Sequence, residues 1–409
     1  DLGAVIEAEP ELVDRKAYGP PRHIILSDGS RIDTRSSTVP KQSHFTCGAC
    51  GQMQDFRYSV QATKRLAPVA PYAFQCLSPE CETGAHAYGG RYFKAPNTTD
   101  VDRLISAERD WDRRREADLK DFWPREEIPF SYMTHQANFA LPEQGYTHWR
   151  KMFGPRQLLV HSSLLKTIQE SDAAAWIKHQ AFGGLQQFLR NQNMFCIWNI
   201  QADKLEPFFA NSNYAPKTQP IENGVFADFG RGNWTSTVEK IEEGLDWTRE
   251  PWEVALPEYA AATGESRLLL PDPIMPGAEI RCGSSTDLSW IADKVYDLVI
   301  TDPPFGDNIF YTDLANFFHA WLRLPLRKEY PALFEPTQTP SAQEANAPRN
   351  LPEAEANARY QGLLTACWAE SHRILKDGGL LAFTFHHSED AQWAIVLLSL
   401  FDAGFILEQ

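Results

Sequence analysis

The spacing of apolar residues changes along the chain, and the change predicts two kinds of structure. After Phe153, apolar residues recur at helical spacing, which predicts one helix there and a second over residues 173–190. A charged stretch over residues 100–120 predicts an exposed helix or arm, and residues 194–256 predict loops around a short helix. From residue 266 to residue 409, short apolar runs alternate with helical patterns. This alternation predicts a parallel, doubly wound α/β sheet.

The same pattern predicts individual elements of this α/β region. Strands are expected over residues 279–282, 296–301, 380–385 and 405–407, and helices over residues 313–324, 357–375 and 392–401. The run Tyr296–Thr301 has the apolar character of a buried strand. The sequence Lys376-Asp-Gly-Gly379 predicts a glycine stop after the second of these helices. The polar segment 336–356, rich in proline and alanine, predicts a mobile insertion.

Composition narrows the class of protein. With 409 residues, the chain is long enough for two or three domains, and 43% hydrophobic and 23% charged residues are ordinary for a globular protein. No run of 18 apolar residues and no signal peptide are found, so a cytoplasmic location without a membrane span is expected. The net charge of −15 argues mildly against nucleic acid, unless a local basic patch exists. Arg113-Arg-Arg115 and the group Arg323, Arg327 and Lys328 are candidates, with solvated helix surface as the alternative.

Four of the seven cysteines form two close pairs, Cys47-Gly-Ala-Cys50 and Cys76-Leu-Ser-Pro-Glu-Cys81. Four thiolates suit tetrahedral Zn²⁺, so the spacing predicts a structural zinc site with Cys47, Cys50, Cys76 and Cys81 as ligands. Buried or redox-active cysteines without a metal are the alternative.

The apolar run that ends at Thr301 is followed by Asp302-Pro-Pro-Phe305. A carboxylate and a backbone carbonyl at a strand end can accept the two hydrogens of an exocyclic amine, and Asp302 and Pro303 supply them here. Pro303 and Pro304 fix the backbone. The Phe305 ring can stack on a base that has left the duplex. Asp307, Asn308 and Tyr311 are candidate substrate-binding residues, and a turn leading into the next helix is the alternative for the first two.

The Asp-Pro-Pro-Phe box resembles that of amino-group DNA methyltransferases, and the stretch Leu375-Lys-Asp-Gly-Gly379 resembles their helix–glycine–strand signature. With its cysteine pairs, the chain is similar to large prokaryotic DNA methylases that carry a zinc ribbon. The resemblance implies a class I methyltransferase, Rossmann-like fold, S-adenosylmethionine as donor bound in part by Asp302 and Phe305, and DNA as partner. Adenine N6 is favoured over cytosine N4 as acceptor, because an Asp-headed box is more often seen with adenine. A restriction or defence-system subunit is a further candidate partner, and DNA binding would place the protein at the nucleoid.

One family feature is missing from the sequence. No Phe-x-Gly-x-Gly loop follows a strand and opens a helix in this sequence. We therefore expect that this donor-binding loop lies upstream of Asp1, that a partner chain supplies it, or that the donor site has been lost. An RNA or protein-glutamine methyltransferase therefore stays open. A zinc-ribbon DNA-binding subunit with a degenerate methylase domain stays open as well.

These interpretations divide the chain into four segments. Residues 1–43 are irregular, and residues 44–98 are zinc-ribbon-like. Residues 99–265 are helical and loop-rich, with target recognition as a candidate role. Residues 266–409 form the methyltransferase-like α/β domain that contains the insertion 336–356.

Overall fold

The computed structural model describes most of the chain from residue 91 to residue 407; the exceptions are residues 137–139, 200–203, 211, 218–219, 227–229 and 271–278. Before residue 91 it describes only residues 5–9, 12–14, 17–18, 23–26, 31–33, 44–46, 50–55, 66, 69, 71 and 73–77. The chain divides into two compact units. The first comprises Asp1–Pro129, Ala137–Lys240 and Ala320–Glu335. The second comprises Phe130–Gln136, Ile241–His319 and Pro336–Gln409. Among the described helices, none is long and apolar enough to cross a membrane.

Short antiparallel strands make up the described part of the chain before residue 95. They are β1 (Val5–Glu9), β2 (Leu12–Asp14), β3 (Ala17–Tyr18), β4 (His23–Leu26), β5 (Arg31–Asp33), β6 (His44–Thr46), β7 (Met53–Asp55), β8 (Phe74–Leu77) and β9 (Arg91–Lys94). Strands β1, β4 and β5 form a three-stranded sheet, and the others pair as β2–β3, β6–β7 and β8–β9.

Three helices follow in the first unit, and they confirm the helical periodicity of the sequence. They are α1 (Thr98–Arg114), α2 (Pro155–Glu170) and α3 (Ala175–Asn191). Asn97 begins α1 with a capping box, because its side chain accepts the amide of Asp100 while the Asp100 carboxylate accepts the amide of Asn97. The buried imidazole of His161 on α2 packs edge to face against the aromatic rings of Phe153, Phe188 and Trp321.

Two antiparallel strand pairs and two helices come before the core of the second unit. They are the hairpin β10 (Ile197–Asn199) with β11 (Lys204–Glu206), the helix α4 (Trp234–Arg249), the pair β12 (Trp252–Val254) with β13 (Arg267–Leu269), and the helix α5 (Pro257–Thr263). The predicted short helix 236–243 is therefore part of the longer α4.

The second unit contains a parallel pair of strands, β14 (Tyr296–Thr301) and β15 (Leu375–Phe383). The helices in the C-terminal region are α6 (Tyr311–Leu326), α7 (Pro331–Phe334), α8 (Glu353–Ile374) and α9 (Asp390–Asp402). Helices α8 and α9 cover one face of the pair through a buried core that includes Tyr360, Trp368 and Val396. These elements confirm the predicted strand 296–301 and the three predicted helices.

Four sequence-based expectations are wrong in detail. Residues 279–282 form no strand, and Ile280 is 92% exposed. Strand β14 is only half-buried on one face, at Val299 and Thr301, and Ile300 is 74% exposed on the other. Gly378, with φ +77°, lies in an irregular part of β15 instead of ending α8, which stops at Ile374. Residues 405–407 form no strand, because the Phe405 amide bonds back to the carbonyl of Leu400 and closes the end of α9.

The described residues therefore form a mixed α/β structure with small sheets. Among the described strand pairs, β14–β15 is the parallel one and the others are antiparallel. The larger Rossmann-like sheet stays a prediction.

Candidate active site

The Asp-Pro-Pro-Phe box lies at the carboxyl end of β14. In the parallel register of β14 and β15, Thr301 is opposite Phe383, and the Thr384 amide donates to the Thr301 carbonyl at 3.3 Å. Residues that follow both strands therefore meet at one edge of the sheet. In open α/β sheets this edge is where ligands bind.

The Asp302 carboxylate is exposed and held from one side. The Thr384 hydroxyl, which follows β15, donates a hydrogen bond of 2.5 Å to Asp302 Oδ1. This bond fixes the carboxylate at the sheet edge and leaves Oδ2 as an acceptor. Sequence reasoning missed Thr384, although the predicted strand 380–385 already placed it at a strand end.

The two prolines present their carbonyl groups differently. The Tyr360 hydroxyl donates to the Pro304 carbonyl at 2.6 Å, and burial raises the pKa of Tyr360 to about 12. The phenol therefore stays protonated and keeps donating at neutral pH. The Pro303 carbonyl accepts no hydrogen bond from any residue that the structure describes. Of these two backbone acceptors, the Pro303 carbonyl is the one without a donor among the described residues, although Pro303 is buried and Pro304 is half-buried.

Aromatic rings support the end of the box. Phe305 is half-buried, and its ring meets Phe385 edge to face at a centroid distance of 5.3 Å. Phe385 in turn meets Trp393 of α9 at 4.9 Å and nearly at right angles. The packing fixes the plane of Phe305, which a stacking platform requires.

Gly306 makes the turn after the box possible. Its φ of +64° lies in the left-handed region, and the Asn308 amide closes the turn on the Phe305 carbonyl at 3.2 Å. A Cβ atom at Gly306 would lie 2.6 Å from Oε1 of the buried Gln392. The chain therefore needs glycine here for backbone conformation and for space.

The three predicted substrate-binding residues differ in whether their side chains make contacts with other described residues. Asp307 pairs with Arg349 at 2.7 Å, and His387 Nε2 lies 3.8 Å from its other carboxylate oxygen. Asn308 and Tyr311 are exposed, and the side chain of neither makes a hydrogen bond to the described residues. The structure thus brings all three next to the box, but the Asp307 side chain is engaged by cationic and imidazole groups.

Segment 336–356, predicted as a mobile insertion, contacts the loop after the box. The Glu344 carboxylate accepts the amides of Tyr311 and Thr312 at 2.6 and 3.3 Å, and it caps α6. The Ala347 amide donates to the Gly306 carbonyl at 3.1 Å. Together with Arg349, these contacts make the insertion part of the site wall, which its sequence did not indicate.

The predicted zinc ligands are described only in part. Cys47 and Cys81 lie outside the described residues, while Cys50 is exposed and Cys76 is half-buried on β8. Among described residues, no three His, Cys, Asp or Glu side chains form a metal-binding group. The antiparallel strands β6 and β7 flank the first cysteine pair in the chain, which suits a knuckle. The zinc site stays a prediction.

Two glycine pairs of the sequence lie in elements that cannot form the donor loop, and a third, Gly89-Gly90, lies outside the described residues. Gly183 and Gly184 are inside helix α3, and Gly378 and Gly379 are inside β15. A donor-binding loop needs glycines between a strand and a helix. Neither described pair meets this condition.

Comparison of the chain with protein-family models, with curated proteins and with solved structures finds no match.

Proposed function

We propose that the chain carries the acceptor half of an amino-group methyltransferase that acts on DNA. The observation that supports this most strongly is the pair of acceptors at one strand end. Asp302 Oδ2 on the exposed carboxylate and the carbonyl of the buried Pro303 accept no hydrogen bond from the described residues, while Asp302 Oδ1 and the Pro304 carbonyl are occupied by Thr384 and Tyr360. An exocyclic amine has two hydrogens, and two fixed acceptors match it.

The proposed role of the box is to make the amine nitrogen a better nucleophile toward the methyl group. Its nitrogen lone pair is delocalised into the base, which makes it a poor nucleophile. Hydrogen bonds to Asp302 and Pro303 favour a tetrahedral nitrogen, and Phe305 holds the base by stacking. Positioning and preorganised electrostatics then carry the catalysis, without a covalent enzyme intermediate.

S-adenosylmethionine, the donor that the family resemblance implies, supplies an electrophilic methyl group when bound. Asp302 and Phe305 are the residues of this chain that would face it. Adenine N6 is the favoured acceptor and cytosine N4 the second. A cytoplasmic protein that meets the nucleoid through DNA, with a restriction or defence subunit as candidate partner, fits this proposal.

Product analysis tests the proposal. The protein is incubated with methyl-labelled S-adenosylmethionine and mixed-sequence duplex DNA, and the DNA is digested to nucleosides. Label in N6-methyldeoxyadenosine is expected, whereas label only in N4-methyldeoxycytidine changes the acceptor. Label that appears only in RNA or protein from parallel incubations would contradict DNA as substrate.

A second candidate function is a zinc-ribbon DNA-binding subunit with a degenerate methylase domain. The positions of Gly183-Gly184 and Gly378-Gly379 inside regular elements favour it. Calorimetry with S-adenosylmethionine separates the two functions. Binding by this chain supports the enzyme, and binding of DNA without any binding of the donor supports the subunit.

A further inference from the structure

Two guanidinium groups of the first unit lie over the same tryptophan ring. The Cζ atoms of Arg125 and Arg150 are 4.0 and 5.4 Å from the centroid of the Trp123 ring. Lys151 follows Arg150 in the same short 3-10 helix, Trp149–Met152. We call these four residues, Trp123, Arg125, Arg150 and Lys151, the basic surface. Both arginine cations lie over the ring of Trp123, where the face of an aromatic ring attracts a positive charge.

The basic surface is built from a rigid frame. The Trp123 side chain is 5% exposed, its indole nitrogen donates to the Arg115 carbonyl at 2.9 Å, and its ring meets Trp111 at 5.6 Å. Backbone bonds join the two segments that carry the arginines, because the amides of Ile128 and Trp149 donate to the carbonyls of Thr147 and Glu126. The positions of the cations are therefore set before any ligand arrives.

The carboxylates of the neighbourhood do not neutralise all of the cations. Glu116 pairs with Arg125 at 2.8 Å, and Asp112 lies 3.3 Å from Arg115. Arg150 makes no ion pair with any carboxylate in the described part of the chain, and the Lys151 ammonium donates to the Gly145 carbonyl at 3.0 Å. Two positive charges thus stay available, in a protein whose net charge is −15.

The pKa values of three groups at the basic surface are lowered first by burial and then by the surrounding positive charges. Burial lowers the pKa of Arg150, and the charges of Arg115 and Arg125 lower it further, although Glu116 acts in the opposite direction. The pKa values of Lys151 and His148 are also lowered, first by burial and then by the charge of Arg150, with Glu127 opposing the effect at His148. An anion placed here would relieve this repulsion.

The basic clusters that the sequence suggested are less suited to bind an anion. Arg113, Arg114 and Arg115 each have a carboxylate partner, namely Asp110, Asp118 and Asp112. In the second cluster, Arg323 is buried and paired with Glu126, whereas Arg327 and Lys328 are exposed without a carboxylate partner among the described residues but lie over no aromatic ring there. Arg150 and Lys151, which stand apart from any run of basic residues, keep their charge available.

We propose that the basic surface binds the phosphate backbone of duplex DNA. A planar guanidinium can donate two parallel hydrogen bonds to a phosphate, and the contact with the Trp123 ring holds the Arg150 guanidinium in place before the phosphate binds. The neighbouring ammonium adds a second point charge. This inference takes DNA as the partner from the proposed function, but it concerns binding and requires no methyl transfer.

Salt-dependent DNA binding tests the basic surface. Binding of a fluorescent duplex is measured by anisotropy over a range of salt concentrations, for the unmodified chain and for Arg150→Gln and Lys151→Gln. Each lost phosphate contact is expected to reduce the slope of log K against log salt by about one, equally for duplexes of different sequence. Arg150→Lys keeps the charge and is expected to keep the slope while affinity falls.

Arg281→Gln is the matched control. Arg281 also lies over a tryptophan ring, Trp290 at 4.3 Å, and it loses the same charge, but Glu279 pairs with it. Its slope is expected to equal that of the unmodified chain. Equal slopes for Arg150→Gln and the unmodified chain, or a preference for single-stranded RNA over the duplex, would overturn the inference. DNA binding with the expected slopes but without methyl transfer would refute only the proposed function.

Discussion

Substitution of Gly306 by alanine tests the geometry of the loop that carries the box. A residue with a Cβ atom at φ +64° costs about 1–2 kcal/mol in backbone energy. The new Cβ would lie 2.6 Å from Gln392 Oε1, so Gln392 must move and give up its 3.2 Å bond to Asn357. Overpacking of this kind costs about 1–3 kcal/mol. The loss in free energy of unfolding is therefore about 2–5 kcal/mol.

Gly378→Ala is the matched control, because Gly378 has φ +77° but no atom within 4 Å of an added Cβ. It is expected to cost only the backbone term, about 1–2 kcal/mol. Unfolding in denaturant, monitored by circular dichroism, measures the loss in free energy of unfolding for both alanine variants, provided that the slope m is unchanged. In a Gln392→Ala background, the cost of Gly306→Ala is expected to fall to that of Gly378→Ala. Equal costs for the two alanine variants in the original background would refute the described approach of Gln392 to Gly306.

Three further predictions concern a carbonyl, a histidine and a metal. Tyr360→Phe removes the donor to the Pro304 carbonyl, and a loss of about 1–3 kcal/mol in unfolding free energy is expected; no loss would contradict this bond. Burial lowers the pKa of His161 to about 4, so stability present above the unfolded value of about 6.5 is lost as pH falls toward 4. The expected loss is about 3 kcal/mol, and a His161→Gln variant with the same pH profile would disprove it. Metal analysis is expected to give one equivalent of zinc, which a chelator removes and Cys76→Ser reduces; less than half an equivalent refutes the site.

The sequence predicted the helices and the box well, because both depend on local patterns. Helical periodicity found α2 and α3, and the apolar run before Asp302 found β14. The partners of the box were harder to find. Tyr360 and Thr384 come from segments 56 and 82 residues away; the packing of helix α8 brings Tyr360 to the box, and the parallel pairing of β14 and β15 brings Thr384.

Other errors have physical causes that a single sequence does not show. The apolar residues of Tyr296–Thr301 predict burial on two faces, but helices cover one face alone. The composition of segment 336–356 does not show that Glu344 and Arg349 form specific contacts with the site, and its mobility stays a prediction. For Arg113-Arg-Arg115, the sequence leaves open a charged patch or a solvated helix surface, and the pairing of all three with aspartates one turn away favours the solvated surface.

The most direct test of the central claim compares two aspartates of one strand region. Asp302→Ala removes the proposed acceptor at the carboxyl end of β14, whereas Asp297→Ala removes an exposed carboxylate, paired with Lys376, in the same strand. Transfer of labelled methyl groups from S-adenosylmethionine to duplex DNA is measured for both variants, with circular dichroism to confirm folding. The account predicts that Asp302→Ala lowers transfer at least about 100-fold, the scale of one lost preorganised catalytic group, and that Asp297→Ala retains it. Full activity of Asp302→Ala, or no transfer by the unmodified protein, would contradict the account.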